Sequence, residues 1–404
     1  VSPFSSRILD KAPGLEALVL SLSQNTNQLR SRENFPSEMV SRCARFEAEW
    51  TDFQKNTLTY YVAIAFGCLT TAFIMTQRHA AIRRIESSDH ASGGRWLREI
   101  RSGQYFATVG ISHLTTSRRH LSNPPVRAQR ADRGQRAEPD QGDGERWILN
   151  GCIPWVTGAF AADYIVIGAV ESLPIGDETL PQKENLASQG SIDATKGIVA
   201  ECSHENRIRE LLFLLPKGTS GVKAGKGMEL LALNSSCTDE VHLDSVELSR
   251  RHLLHGPCEN VMAASQSKLS TSGAGAGGAQ TSALALGLAA RAIDWMYGET
   301  KSRPNLQPYA ESLANSWTTL FEKLVSIEQG DASIDSNTLR KHSNDLALQS
   351  TQAALAAAKG SGFLENHPVS RWCREAMFFL VWSCPQWVAD AHLCSFSSMD
   401  ANLQ

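Results

Sequence analysis

The sequence has no Cys-x-x-Cys pair. Its nine cysteines, at 43, 68, 152, 202, 237, 258, 373, 384 and 394, are scattered and odd in number. Neither a zinc ribbon nor a disulfide framework is expected, and they read as reduced thiols of a cytoplasmic protein. An excess of one charge is missing too. Thirty-nine basic against forty-two acidic side chains leave a net charge of -3 over 404 residues, so charge gives no argument for nucleic acid or a membrane surface as a partner. There is no His-Glu-x-x-His and no Gly-x-Ser-x-Gly, which removes the zinc-peptidase and serine-hydrolase signatures. Around Gly225 and Lys226 the chain continues with Gly227 where a phosphate loop needs Ser or Thr,. Gly273, Gly275 and Gly278 satisfy Gly-x-Gly-x-x-Gly, but the preceding SKLSTS is polar and no βαβ unit surrounds it. A flexible entry into the alanine-rich helix that follows is the better reading. His252 and His255 have only Glu259 nearby as a carboxylate and read as a surface pair, so no metal site is expected. The N-terminus shows no charged-then-apolar leader, and export is not expected.

Long apolar runs are scarce, with one exception. Residues 56–77 (NTLTYYVAIAFGCLTTAFIMTQ) carry no charge over a length that would reach across a bilayer. Five threonines, Asn56 and Gln77 dilute the run, and it reads as helix buried in a large core,.

What is present falls into three textures. Residues 1–105 read as an all-helical layer, closing with Trp96, Leu97 and Ile100 on one helical face,. Residues 106–250 turn to short β-rich runs separated by Gly, Pro and Asn: 147–151, 163–170, 210–216, 228–233 and 240–248,. They predict a small antiparallel β-barrel or sandwich. Within this stretch residues 117–146 are rich in Arg, Asp, Gly and Pro and read as a mobile hairpin loop,. From 251 to 404 helical spacing returns, through Leu284, Leu288, Ala292 and Trp295, then Tyr309 to Leu324, then Leu339 to Ala353, then a helix from about Val369 disturbed near Pro385,. Four amphipathic helices in a row predict an antiparallel four-helix bundle. The fold class is therefore α+β and multidomain.

This order of layers is similar to that of the acyl-CoA dehydrogenase family, and four segments carry the resemblance. LNGCIPWVTGAFAAD, residues 149–163, resembles the family's L-N-G-x-K-x-W-I-T-N-x-x-x-A-D flavin segment, through Leu149-Asn150-Gly151, Trp155-Val156-Thr157 and Ala162-Asp163. YFATVGISHLTTSRRHLS, residues 105–122, stands where the family has its A-x-T-E-P-x-x-G-S-D strand. There Thr115 falls on the family's threonine, and Thr116 and Ser117 replace Glu-Pro. Residues 214–248 are similar to the stretch leading into the bundle, and Arg371 with Arg374-Glu375-Ala376 looks like the family's R-D-A helix. The resemblance implies bound FAD held by Leu114, Thr115, Thr116, Trp155, Val156 and Thr157. It also implies that Arg303 reaches the FAD pyrophosphate of a neighbouring subunit. An acyl-CoA or other acyl thioester as substrate, an electron-transfer flavoprotein as acceptor and a homotetramer or dimer follow in the same way.

Such an enzyme takes a proton from Cα of the acyl thioester while Cβ yields a hydride to flavin. In the family the base is a glutamate at one of two places, which align here with Gln280 and Ser383; neither is a base. Glu375 lies eight residues before Ser383, about 12 Å along a helix, and Asp294 fourteen beyond Gln280, about 21 Å,. No catalytic residue is thereby identified. Three readings stay open: a dehydrogenase with its base elsewhere, a flavin-dependent monooxygenase of the same fold, and a non-catalytic homologue.

Overall fold

The computed structural model describes residues 4–26, 34–88, 93–115, 124–131, 145–172, 208–265, 278–382 and 384–398. Seven helices and one strand come first: Ser5–Ile8 (α1), Leu15–Asn25 (α2), Ser37–Glu49 (α3), Thr57–Gly67 (α4), Leu69–Glu86 (α5), Gly93–Arg101 (α6), the strand Ala107–Gly110 (β1) and the single turn Ser112–Thr115 (α7). Seven more strands follow, Val126–Arg130 (β2), Arg146–Val156 (β3), Tyr164–Ser172 (β4), Glu210–Pro216 (β5), Val222–Ala224 (β6), Asp239–Ser249 (β7) and Leu253–Cys258 (β8). The chain then returns to helix in Val261–Ala264 (α8), Ala279–Thr300 (α9), Gln307–Glu328 (α10), Ser336–Gly362 (α11), Pro368–Met377 (α12) and Gln386–Ser397 (α13).

The strands form one eight-stranded sheet in the order β6-β7-β3-β2-β4-β5-β8, with β1 beside the first half of β4. The expected small antiparallel barrel or sandwich is corrected in two respects. The sheet is open, and it is mixed, because β4 runs parallel to both β1 and β2. β5 reads as an unbroken apolar run because both its faces are covered. Leu211, Phe213 and Leu215 enter one buried cluster, and Leu212 and Leu214 enter another. β7 instead alternates, with Val241 and Leu243 buried and His242 and Asp244 exposed, so its outer face meets solvent.

Residues 228–233 are not a strand. Leu233 takes a left-handed conformation at φ 61°, and the Asn234 side chain accepts from Leu230 N–H at 2.8 Å while donating to its carbonyl at 2.9 Å. A local side-chain turn has replaced a ladder there. Strands β1, β2, β6 and β8, of three to six residues, carry too few positions to show a period. Of the expected 117–146 loop, 126–130 form β2, paired antiparallel with β3, and most of the rest lies outside the described residues.

The uncharged run 56–77 forms α4 and the first half of α5, broken at Cys68 (φ -157°, ψ 110°). Its residues lie in the core, with Tyr60 to Ile64 all at 0% exposure. Among the described residues no helix is long and apolar enough to cross a membrane. α4 begins under a cap from a distant helix: Glu328 of α10 accepts from the N–H groups of Leu58 and Thr59 and from the Thr59 hydroxyl at 2.7 Å. A carboxylate there satisfies orphan donors and complements the helix dipole. α9 packs on α4, α10, α11 and α12. Gly287 permits the α4 contact, since a Cβ there would stand 2.5 Å from the Val62 carbonyl oxygen and 2.6 Å from Ala65 Cβ. One buried apolar cluster runs from Phe4 through β3 to Phe379 and so joins all three textures of the sequence.

Under α5 lies a buried polar chain. Arg78 donates to Glu47 at 2.7 Å and to the carbonyls of Ile100 and Arg101, the last turn of α6. His79 Nε2 meets the same Glu47 oxygen at 2.9 Å, and its Nδ1 meets the Tyr61 hydroxyl. Burial pushes the His79 pKa down and the Tyr61 pKa up. Glu47 is held below the usual carboxylate range because His79 and Arg78 outweigh burial, which acts upward. One proton arrangement satisfies all three directions: a neutral His79 whose Nε2–H donates to the Glu47 carboxylate while Nδ1 accepts from Tyr61 O–H.

Candidate functional site

The segment Trp155-Val156-Thr157 closes β3 and turns at Gly158. Val156 is fully buried and Thr157 nearly so, whereas Trp155 is 51% exposed. The turn needs glycine, since φ is 65° and a Cβ would stand 2.6 Å from the Phe35 ring,. Gly158 N–H donates to the Ser236 carbonyl at 2.8 Å, and Thr157 accepts from the Thr238 hydroxyl at 3.2 Å. Thus Trp155 stands half-exposed on a segment locked from below. On β1, Gly110 approaches Ile153 and Val156 so closely that a Cβ would lie 2.9 and 3.0 Å away. Thr108 points to that same face by strand alternation; it is buried, and its hydroxyl has no hydrogen-bond partner among the described residues. A half-exposed aromatic plane on a fixed turn suits a planar, polar ring,.

The other residues nominated from sequence have different surroundings. Leu114 is a core residue at 1% exposure, on α7, packed against Gly168 of β4. Thr115 ends α7, and Thr116 lies outside the described residues, as do Ser383, Gly273 and Gly275. Gly278 precedes α9 as its cap. Arg303 is engaged within its own chain: it pairs with Glu299 at 2.5 Å and donates to the Ala357 carbonyl, tying the end of α9 to α11. The histidines at 252 and 255 are not a surface pair. His255 is buried against the Ser87 hydroxyl at 3.0 Å, and burial with nearby Arg251 takes His252 down to about 4.

Gln280 sits in the first turn of α9 at 6% exposure. Arg83 of α5 reaches its side-chain amide, at 3.1 and 3.2 Å when the amide oxygen faces the guanidinium. The position where a base was sought therefore holds a neutral acceptor already bound to a cation.

A cavity of about 240 Å³ lies elsewhere, lined by Cys68, Arg291, Arg371, Arg374 and Glu375 among others. Arg291 is held between the rings of Phe66 and Trp372 at 5.2 and 5.8 Å. Glu375 is buried, 3.5 Å from Arg371, and burial raises its pKa above the ordinary value although both neighbouring arginines oppose this. A buried carboxylate with a shifted pKa on a cavity wall is a functional candidate on general grounds. However, the cavity meets α9 at Leu288 and Arg291, eight and eleven residues past Gln280, about 12 and 16 Å along the helix. It does not reach Gln280 at the start of α9.

No family model matches the chain. Two curated proteins do. The chain is 26% identical to cyclohexane-1-carbonyl-CoA dehydrogenase of Geobacter metallireducens, over 47% of this chain and 52% of that protein. It is 21% identical to the mitochondrial short-chain specific acyl-CoA dehydrogenase of Rattus norvegicus, over 86% of this chain and 79% of that protein. The chain thus spans about half the length of the first relative. Among solved structures, a glutaryl-coenzyme A dehydrogenase in complex with glutaryl-CoA superposes with a TM-score of 0.66 at 14% identity, covering 97% of this chain and 98% of that one. A dibenzothiophene monooxygenase from Paenibacillus sp. A11-2 superposes with a TM-score of 0.65 at 12% identity, covering 97% of each. Such structural likeness establishes the fold alone. In fold and in sequence, then, the chain is similar to acyl-CoA dehydrogenases.

Proposed function

We propose that this chain is an FAD-dependent oxidoreductase of acyl thioesters, acting at the Cα–Cβ bond. The observation that carries the reading is the pair of sequence matches to acyl-CoA dehydrogenases, one of them along 86% of this chain. The half-exposed Trp155 on its locked turn supports it from the structure. In this reading the chain divides at 1–105, 106–250 and 251–404, with the C-terminal helices acting as a bundle against the sheet. Trp155, Val156 and Thr157 hold the flavin ring, and Leu114, Thr115 and Thr116 flank it by backbone and hydroxyl contacts. Arg303 faces the pyrophosphate of a neighbouring copy in a dimer or tetramer. Bound flavin would supply a hydride acceptor at these residues, and an electron-transfer flavoprotein is the proposed partner.

The protein's own groups set the limits of the reaction. With an amide at position 280 and a hydroxyl at 383, Cα deprotonation lacks a carboxylate at either aligned position. A positioned base is worth about 10²- to 10⁴-fold, so turnover as a dehydrogenase is slow. The second reading, a flavin monooxygenase, is favoured by one observation: the fold matches a monooxygenase as closely as a dehydrogenase. Such chemistry does not need that glutamate.

Titration of the purified chain with FAD tests the proposal at its base. Stacking on Trp155 quenches its fluorescence, and Trp155→Ala weakens FAD binding by about 2- to 12-fold, the equivalent of ~0.5–1.5 kcal/mol of aromatic stacking. If FAD binds with no change in indole emission, and equally well to Trp155→Ala, the flavin site is not at this segment.

A further inference from the structure

Cys-x-x-Cys spacing is absent, but the sheet assembles ligands that are far apart in sequence. Cys152 of β3 is the register partner of His242 of β7. Glu240, two residues before His242, projects from the same face by strand alternation. The Cys152 Sγ lies 4.0 Å from His242 Nε2, which lies 3.2 Å from Glu240 Oε2, and the three ligand atoms all fall within 4.8 Å of one another. Among the described residues this is the one such group of three or more His, Cys, Asp and Glu.

We propose that Cys152, Glu240 and His242 bind a borderline-soft divalent metal ion, with Zn²⁺ as the best match. Zinc takes sulfur at about 2.3 Å and imidazole nitrogen or carboxylate oxygen at about 2.0–2.2 Å in a tetrahedron. Ligand atoms then stand roughly 3.3–3.6 Å apart, so the Cys–His pair closes by about half an ångström and the His–Glu pair opens slightly. The mixture of thiolate, imidazole and carboxylate favours zinc over magnesium or calcium, which prefer oxygen alone. Three protein ligands leave the fourth position to water, on the solvent-facing side of β7, where the His242 side chain is 59% exposed.

The Glu240 carboxylate brings a negative charge to the site, 3.2 Å from His242 Nε2. Lys223, across from His242 on β6, completes the row and is the one opposing positive charge on it. The site also has a mechanical position. The β3–β7 register slips between Leu149 and Gly151 and again between Ile153 and Val156. Cys152 sits in the regular pairing between these irregularities, three residues before Trp155. A metal bridging β3 to β7 there clamps the strand that carries the proposed flavin platform. The site itself depends only on the sheet, and stands whether or not FAD binds.

The test uses the full chain, freed of metal by chelator and kept reduced with a non-thiol reductant. Co²⁺ is titrated into wild type, Cys152→Ser and His242→Ala, with far-UV circular dichroism confirming that all three are folded. The expected result is a thiolate-to-cobalt charge-transfer band that saturates at one equivalent, disappears in Cys152→Ser, and is bleached by equimolar Zn²⁺. His242→Ala weakens binding by more than the ~10- to 100-fold typical of an outer-shell partner. A band of equal size in Cys152→Ser would assign the metal to another of the cysteines, and no band in wild type would mean no site; either overturns the proposal.

Discussion

Replacing Arg78 with methionine is expected to lower folding stability by about 3–5 kcal/mol, because it strands the buried Glu47 carboxylate without its cation. Arg78 and Glu47 side chains are 2% and 6% exposed, so solvent does not screen the loss. The same change removes two donors from the last carbonyls of α6, which have no partner within that helix. Denaturant titration at neutral pH measures the effect, and a loss below about 1 kcal/mol would contradict it. The pH dependence has a defined sign. In the native protein His79 and Glu47 both have folded pKa values below their ordinary 6.5 and 4.5. Each therefore contributes stability that is complete above its ordinary value and is lost as pH falls through its folded value. Acid weakens the wild type, first through His79 below about pH 6.5 and then through Glu47. In Arg78→Met the Glu47 pKa rises for want of its partner, and protonation relieves the stranded charge. The gap between the two proteins consequently narrows as pH falls.

Gln280→Glu is expected to raise the rate of flavin reduction by an acyl-CoA by about 10²- to 10⁴-fold, the ordinary worth of a positioned base. The substitution is nearly isosteric, and Arg83 already meets the amide there. That same guanidinium sets a ceiling. An adjacent arginine lowers a carboxylate pKa by about 1–3 units, which makes the new base weak, so the gain belongs at the lower end. Arg83→Gln added to Gln280→Glu then raises the rate further. Stopped-flow reduction under anaerobic conditions measures both steps. No gain in either protein would mean that the start of α9 does not face the substrate.

The contrast between these two sites explains what the sequence could convey. Periodicity was enough for the long helices: Leu284 to Trp295 lie within α9, and Leu339 to Ala353 within α11. The fourth predicted helix stops sooner than Pro385, at Met377, and Pro385 instead precedes α13. The sheet was legible only where strands are long. Three-residue β6 and four-residue β1 are too short to show a period, and β5 has no alternation because it is buried on both sides. Closure and direction are set by pairing over long sequence separations, such as β1 with β4, so the pattern predicts a barrel or sandwich where an open mixed sheet forms. The resemblance of the Trp155 segment to a flavin segment is legible in sequence because its residues are contiguous. The Cys152, Glu240 and His242 group is not legible in this way, because its members are brought together by strand register. Arg83 meeting Gln280 was equally hidden, since 197 residues separate them. The one available signal was that an uncharged run ends in the cations Arg78, Arg83 and Arg84, a pattern costly to bury without partners.

The proposed oxidation of acyl thioesters has to proceed without either aligned glutamate, since Gln280 and Ser383 stand there. The most direct test is the visible spectrum of the FAD-reconstituted chain, mixed anaerobically with a panel of acyl-CoAs. The expected result is flavin bands that bleach slowly with at least one acyl-CoA and faster in Gln280→Glu; bands that persist in both proteins with every acyl-CoA would overturn the dehydrogenase reading.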